Sequence, residues 1–152
     1  MKQLFSVLLL CCFALPLAAE PVLKPQYNAE LAAELGADDY GMRPYVMAIL
    51  RAGPNLRHDA KTVQALQRGH MDTIARLAAE GKLVLAGPFL DNGELRGIYI
   101  FNVSSVEEAQ ALTAEDPAVK AGRLSMQLIP WYGSAALIQL NQLHQQISKQ
   151  TP

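Results

Sequence analysis

Cysteine is nearly absent from this 152-residue sequence, and both copies, Cys11 and Cys12, lie within the first twenty residues. That stretch, MKQLFSVLLLCCFALPLAAE, has the order of a secretory signal peptide: a positive Lys2, an apolar run to Leu15, and small residues before Glu20. We expect residues 1–19 to be cleaved and the chain to be exported to the periplasm. The alternative, a lipidated cysteine, is disfavoured by the large leucine that precedes the first one. The exported chain then has no thiol for disulfides, thiolate catalysis or metal binding.

An excess of basic residues is also missing. The chain has 13 Lys and Arg against 14 Asp and Glu, so losing Lys2 with the signal peptide leaves a net charge of −2. Without a basic stripe we expect no nucleic-acid partner. No later apolar run reaches the length of a transmembrane helix, so we expect no membrane contact after cleavage. The remaining chain, about 130 residues, suits one domain with its own core.

Motifs of the common catalytic and cofactor sites are absent as well. The sequence contains no HExxH or HxxxH pair for zinc, and no GxSxG, P-loop or GxGxxG pattern. We therefore expect neither a metal nor a cofactor. His58 lies beside a helix start and His144 in a Gln-rich helix, and we expect both to face solvent.

Apolar patterning predicts alternating strands and helices. PYVMAILRAGP is apolar on both alternating faces, which is typical of a strand buried on both sides. A long helix follows from an N-cap at Asp59 to Gly81, and KLVLAGPF and GIYIFNV form strands joined by a hairpin at Asn92-Gly93. Ser105 begins a second helix as a capping box, and RLSMQLIPWYG is a fourth strand that Pro130 places at a sheet edge.

The order βαββαβ predicts an α+β, ferredoxin-like fold with a four-stranded antiparallel sheet. We divide the chain into the signal peptide (1–19), a lead-in (20–43), the ferredoxin-like domain (44–132) and a C-terminal helix (133–152). Both helices should lie on one sheet face. A second copy is the simplest cover for the other face, so we expect a homodimer; the C-terminal helix folding across that face is the alternative.

His70 interrupts the apolar stripe of the long helix, which includes Leu66, Ile74 and Leu77. One interpretation is a core histidine satisfied by a backbone carbonyl. The other is a functional imidazole, which needs a partner that holds one ring nitrogen. The candidate partner is Asp116 in EDPAVKAG, where the order Asp-Pro is also the signature of a structural N-cap. The two roles of the carboxylate are compatible, since a cap uses one oxygen.

Four further residues are candidates for ligand binding. Arg51 ends the first strand and Arg123 begins the fourth, and either could hold an anion or face water. Gly87 and Pro88 lie at the end of the second predicted strand, where a glycine allows a close backbone approach, either in a pocket wall or in a tight loop.

GHMDTIARLAAEGKLVLAGPF, then GIYIFNVSSVEEAQAL, then EDPAVKAGRL resemble the YciI (YCII-related) family over residues 44–131. The resemblance implies a ferredoxin-like α+β fold, dimers formed through the sheets, and a site that pairs His70 with Asp116. One relative in that family is a dehydrochlorinase of a chlorinated hydroxyquinol. The signal peptide, the DDYGMRP lead-in and the WYGSAALIQL tail depart from the small cytoplasmic members.

These observations lead to two hypotheses of different class. In the first, the protein is an enzyme in which His70 is general base or acid and Asp116 orients and stabilises its ring, for elimination, isomerisation or hydrolysis of a small molecule. No nucleophile is identifiable, so covalent catalysis is not expected. In the second, the same pocket of a dimer binds a small ligand without turnover.

Overall fold

The computed structural model describes residues 26–91 and 93–150. The predicted signal peptide and the Asn92 part of the predicted hairpin lie outside the described residues. The elements are α1 (Ala29–Glu34), β1 (Met42–Ala52), α2 (Ala60–Ala79), β2 (Leu83–Pro88), β3 (Leu95–Phe101), α3 (Val106–Ala114), α4 (Pro117–Lys120), β4 (Leu124–Ser134), a 3-10 turn (Ala135–Gln139) and α5 (Leu140–Ile147).

The four strands form one antiparallel sheet in the order β2-β3-β1-β4. The α+β, ferredoxin-like prediction is therefore confirmed. Pro130 is on β4, opposite Val46 of β1, and β4 is an edge strand, as predicted. Because proline cannot donate to a ladder, the edge is the position where it costs least.

The helices α2 and α3 cover one face of the sheet. The core on this side contains Val46, Ala48 and Leu50 of β1 together with Tyr99 and Phe101 of β3. Leu77 of α2 and Ala109 of α3 complete it. Asp59 caps α2 by accepting a hydrogen bond from the Thr62 amide, and Ser105 caps α3 in the same way through the Glu108 amide. Both predicted helix starts are thus observed.

The C-terminal segment packs on the second face. Leu137 and Ile138 of the 3-10 turn contact a cluster of Tyr45, Val84 and Ile100. The segment is also held by polar contacts: the Asn141 amide donates to the Leu83 carbonyl at 2.7 Å, and the Tyr45 hydroxyl donates to Ser134 at 2.9 Å. The C-terminal segment therefore covers the part of this face around Tyr45, as the alternative expectation had it.

The boundaries of the terminal regions differ from those expected. β1 begins at Met42, two residues inside the expected lead-in, and β4 continues to Ser134, inside the expected C-terminal helix. That helix is also not continuous, because its first turn is 3-10 and only Leu140–Ile147 is α-helical. Arg43 attaches the lead-in to the sheet: its guanidinium donates to the Leu35 carbonyl at 2.8 Å and lies 5.6 Å from the Tyr45 ring.

Among residues 26–91 and 93–150, no helix has the length and apolar character needed to cross a membrane.

Candidate functional site

His70 and Asp116 meet beneath α2, although 46 positions separate them in the sequence. The distance from His70 Nδ1 to Asp116 Oδ2 is 2.6 Å. Both residues are buried, with 8% of His70 and 1% of Asp116 exposed. A hydrogen bond of this length to a buried carboxylate is of the charge-assisted kind, and it fixes the orientation of the ring.

Local sequence explains why Asp116 points to His70. Asp116 is the N-cap of α4, and its other oxygen, Oδ1, accepts a hydrogen bond from the Ala118 amide at 2.8 Å. Pro117 occupies the first helical position, where its missing N–H costs nothing. Gly122 ends the turn at a φ of 68°, a conformation that glycine adopts without strain. The carboxylate is therefore a helix cap and a histidine partner at once.

Tyr99 is a third member of the cluster that sequence reasoning missed. Its hydroxyl lies 3.1 Å from His70 Nε2, so both ring nitrogens have a partner. Tyr99 is on β3, 4% exposed, and its ring meets Phe101 edge-on at 5.7 Å. A signal was available, because a tyrosine in a strand that is apolar on both faces needs a hydrogen-bond partner for its hydroxyl.

The charges of the cluster assign its protons. An ionised carboxylate only accepts hydrogen bonds, so Nδ1 carries a proton and, in the neutral ring, Nε2 is the acceptor. Burial raises the pKa of the Tyr99 hydroxyl, and the negative charge of Asp116 raises it further. Tyr99 therefore keeps its proton and donates it to Nε2. The Tyr99 hydroxyl thus donates to His70 Nε2, and His70 Nδ1 donates to Asp116, which accepts.

Access to the cluster is narrow in the single chain. The His70 side chain is 10% exposed. A surface cavity of about 280 Å³ lies between the start of β1 and the start of α3, and another is lined by residues 26–30. Neither is lined by His70, Tyr99 or Asp116. A ligand that contacts His70 must therefore reach the exposed tenth of its side chain or displace a neighbouring side chain.

The four weaker candidates are spread around the sheet. Arg51 lies on the second face, away from His70, and its guanidinium contacts Glu94 at 3.3 Å and Gln127 at 3.4 Å. Arg123 immediately precedes β4 and is half-buried. Its amide donates to the Ala118 carbonyl, and its carbonyl accepts from the Gly53 amide. The structure does not bring Arg51 to the candidate site.

Gly87 and Pro88 end the edge strand β2, one and two residues beyond Ala86, which pairs with Tyr99. A Cβ built on Gly87 would meet no atom within 4 Å, so this glycine is not required by packing. The close approach occurs at Gly97 instead, where a Cβ would lie 2.4 Å from the Gly87 carbonyl oxygen.

The other histidines lie apart from the cluster. His58 is beside the Asn55 carbonyl at 3.1 Å, and His144 is exposed on α5. Within the described part of the chain, no three His, Cys, Asp or Glu side chains are grouped so that they could hold a metal ion.

Comparison with known proteins bears on the family. The sequence model of the YCII-related domain matches residues 45–132. The chain is also similar to the "Uncharacterized protein YjpA" of Bacillus subtilis (strain 168), with 35% identity over 63 residues. That alignment covers 41% of this chain and 72% of the relative.

Among solved structures, the chain is similar to the 5-chloro-2-hydroxyhydroquinone dehydrochlorinase (TftG) of Burkholderia phenoliruptrix AC1100, in complex with 2,5-dihydroxybenzoquinone. The identity is 21% and the TM-score 0.41, over 57% of this chain and 92% of the other.

Proposed function

We propose that this chain, which belongs to the family of the YCII-related domain, binds a small molecule beside His70 and transfers a proton to or from it. The observation that carries the proposal is the buried contact of 2.6 Å between His70 Nδ1 and Asp116. A carboxylate at Nδ1 leaves Nε2 as the nitrogen that exchanges a proton, and it stabilises the imidazolium that results.

Tyr99 supplies a route for that proton. Its hydroxyl donates to Nε2, so a ligand can lose a proton to the Tyr99 oxygen while the Tyr99 proton passes to Nε2. The ligand then carries one negative charge more, and the positive ring lies against Asp116. The reverse transfer returns the proton, which suits elimination, isomerisation or water-assisted hydrolysis. No nucleophile takes part in this scheme.

A second candidate function is ligand binding without turnover. It is favoured by the 10% exposure of the His70 side chain and by the engagement of both ring nitrogens. In that case His70 is a fixed partner for the ligand and does not change its protonation.

The test measures proton transfer directly. Chlorinated hydroxyquinols and activated carbon acids are incubated with the protein in deuterated water, and chloride release and deuterium incorporation are followed. We expect turnover by the wild type and a loss of roughly 10²–10⁴-fold in His70→Ala, the usual contribution of general acid–base catalysis.

His144→Ala is the matched control, because it removes an exposed histidine from α5. It should keep the wild-type rate. Turnover in His70→Ala within about tenfold of the wild type would refute the enzymatic proposal. Binding of a probe that requires His70 without any turnover would favour the second candidate.

We also propose export, with cleavage before Glu20. The proposal rests on the order of residues in the first nineteen positions. The intact mass of the protein from its native host tests it, and a retained Met1 or a lipid on Cys11 contradicts it.

A further inference from the structure

Gly69 is the residue immediately before His70, in the middle of the 20-residue helix α2. Glycine is the least favourable residue in a helix interior after proline, because it loses the most backbone freedom. Its φ is not in the left-handed region, so backbone conformation does not require glycine there. Some other constraint must therefore explain it.

The constraint is contact with Pro117. A Cβ built on Gly69 would lie 2.8 Å from Pro117 Cγ and 3.4 Å from its Cβ. A separation below 3.0 Å requires one of the two groups to move. The proline ring is rigid, and α4 is held in place by backbone bonds such as Lys120 to Asp116 at 2.9 Å. The Pro117 ring therefore cannot move away from an added Cβ as the end of a flexible side chain could.

The contact is adjacent to the candidate site on both elements. Gly69 precedes His70 on α2, and Pro117 follows Asp116 at the start of α4. The distance at which α2 and α4 pack at this point therefore sets the separation of Nδ1 and Oδ2. A second link joins the same regions farther along α2, where Arg76 contacts Glu115 at 2.5 Å. Both side chains of this ion pair are about half exposed, so the pair contributes little to holding α2 and α4 together.

We propose that Gly69 is a positioning residue for the His70–Asp116 pair: the space left by its missing side chain is filled by the Pro117 ring, and this brings the carboxylate to 2.6 Å from Nδ1. The inference rests on the proposed function only for its effect on turnover. Its effect on geometry exists whether or not the protein is an enzyme.

The test is Gly69→Ala, followed by NMR of the His70 ring. In the wild type the Nδ1 proton is held by Asp116 and shielded from solvent, so its signal should be visible and slow to exchange. In Gly69→Ala the added methyl group separates α2 from α4, and we expect this signal to be lost. Overall folding is monitored by the amide spectrum of the sheet.

Pro117→Ala provides the control and the rescue. Alone, it removes Cγ and Cδ of the ring but keeps Gly69, so the Nδ1 signal should persist. Combined with Gly69→Ala, it removes the atom at 2.8 Å, and we expect the signal to return. This double variant also decides the case in which Gly69→Ala alone fails to fold.

A Gly69→Ala variant with an unchanged Nδ1 signal would overturn the proposal. So would a folded double variant that still lacks the signal, because the clash would then not be the cause. The readout needs no substrate. Absence of turnover in the wild type would therefore contradict the proposed function and leave the role of Gly69 to be decided by the spectra.

Discussion

The Tyr99 ring packs against the rings of Phe101 and His70, and its hydroxyl is buried beside His70 Nε2. Burial without a partner would cost its hydroxyl about 1–3 kcal/mol, and the bond to Nε2 avoids that cost. The same burial makes ionisation of the phenol unfavourable. The stability of the protein should therefore depend on pH in the alkaline range.

The direction of this dependence follows from the raised pKa of Tyr99, caused first by burial and then by the charge of Asp116. In the unfolded chain the phenol ionises near its ordinary pKa of 10.0, whereas in the folded protein it stays protonated to higher pH. The unfolded state therefore loses the proton first. The contribution of Tyr99 is complete below pH 10 and is lost as pH rises further, by at most about 1.4 kcal/mol per pH unit.

We predict that Tyr99→Phe flattens this dependence. Urea unfolding across the range around pH 10 should show a smaller fall in the free energy of unfolding in the variant than in the wild type. Tyr45→Phe is the comparison, because burial also raises the pKa of Tyr45. This variant should lose only the part of the pH dependence that Tyr45 causes and keep the part that Tyr99 causes. Equal slopes in wild type and Tyr99→Phe would contradict the assignment of a buried, protonated Tyr99.

At the residue scale, the sequence indicated His70 because it interrupts an apolar stripe, and Asp116 because the order Asp-Pro is the signature of an N-cap in the turn before the fourth strand. Tyr99 and Gly69 break weaker patterns. Tyrosine is common in strands, and a helical glycine can have several causes. Their roles depend on which side chain or ring lies opposite, and that information exists only once α2, β3 and α4 are packed together.

At the scale of one element, α4 is a single turn whose N-cap is shared with the candidate site. Asp116→Asn separates its two roles. Asparagine caps as well as aspartate, so its oxygen should keep the Ala118 amide. The NH₂ group must then face His70 Nδ1, and because it is a donor, Nδ1 can only accept. The ring proton should therefore move to Nε2, where it would donate to the Tyr99 oxygen.

We predict a reversal of the His70 tautomer in Asp116→Asn, measured from the nitrogen chemical shifts of the ring. Unfolding in urea should show a loss of about 1 kcal/mol, because a neutral hydrogen bond replaces the charge-assisted one. Asp116→Ala is the matched variant, and it should lose about 1 kcal/mol more because it also removes the cap. If Asp116→Asn keeps the tautomer and the stability of the wild type, the His70–Asp116 pair is not formed in solution.

The elements of the domain were predictable where capping and periodicity agreed, as at Asp59, Ser105 and the edge strand with Pro130. The C-terminal segment was less so. Leu137, Leu140 and Leu143 have near-helical spacing, which favours the single helix expected there, but Leu137 and Ile138 pack on the sheet through a 3-10 turn. Packing against the sheet determined the 3-10 geometry of this turn, and a helical pattern in the sequence does not reveal such packing.

At the scale of the whole molecule, the second face of the sheet is covered in part. Leu137 and Ile138 lie over the end that contains Tyr45 and Val84. Strand register places Ile49, Ile98 and Ile129 on the same face, beside that cluster, and each is only half-buried. Three isoleucines in adjacent strands form an apolar strip that the described residues do not fully cover, and a second copy of the chain is the cover that we propose.

We predict that the protein is a homodimer joined through this strip, with more than about 1,000 Å² buried in total, the range of a stable interface. Ile98 is central, because it pairs with Ile49 on one side and Gly87 on the other. Ile98→Lys would bury a charge without a partner in the interface, so light scattering should show twice the chain mass for the wild type and a monomer for the variant. Ala75→Lys, on the exposed side of α2, should remain dimeric. A wild-type monomer at micromolar concentration would mean that the C-terminal segment and the lead-in cover the sheet sufficiently, and that the strip is simply surface.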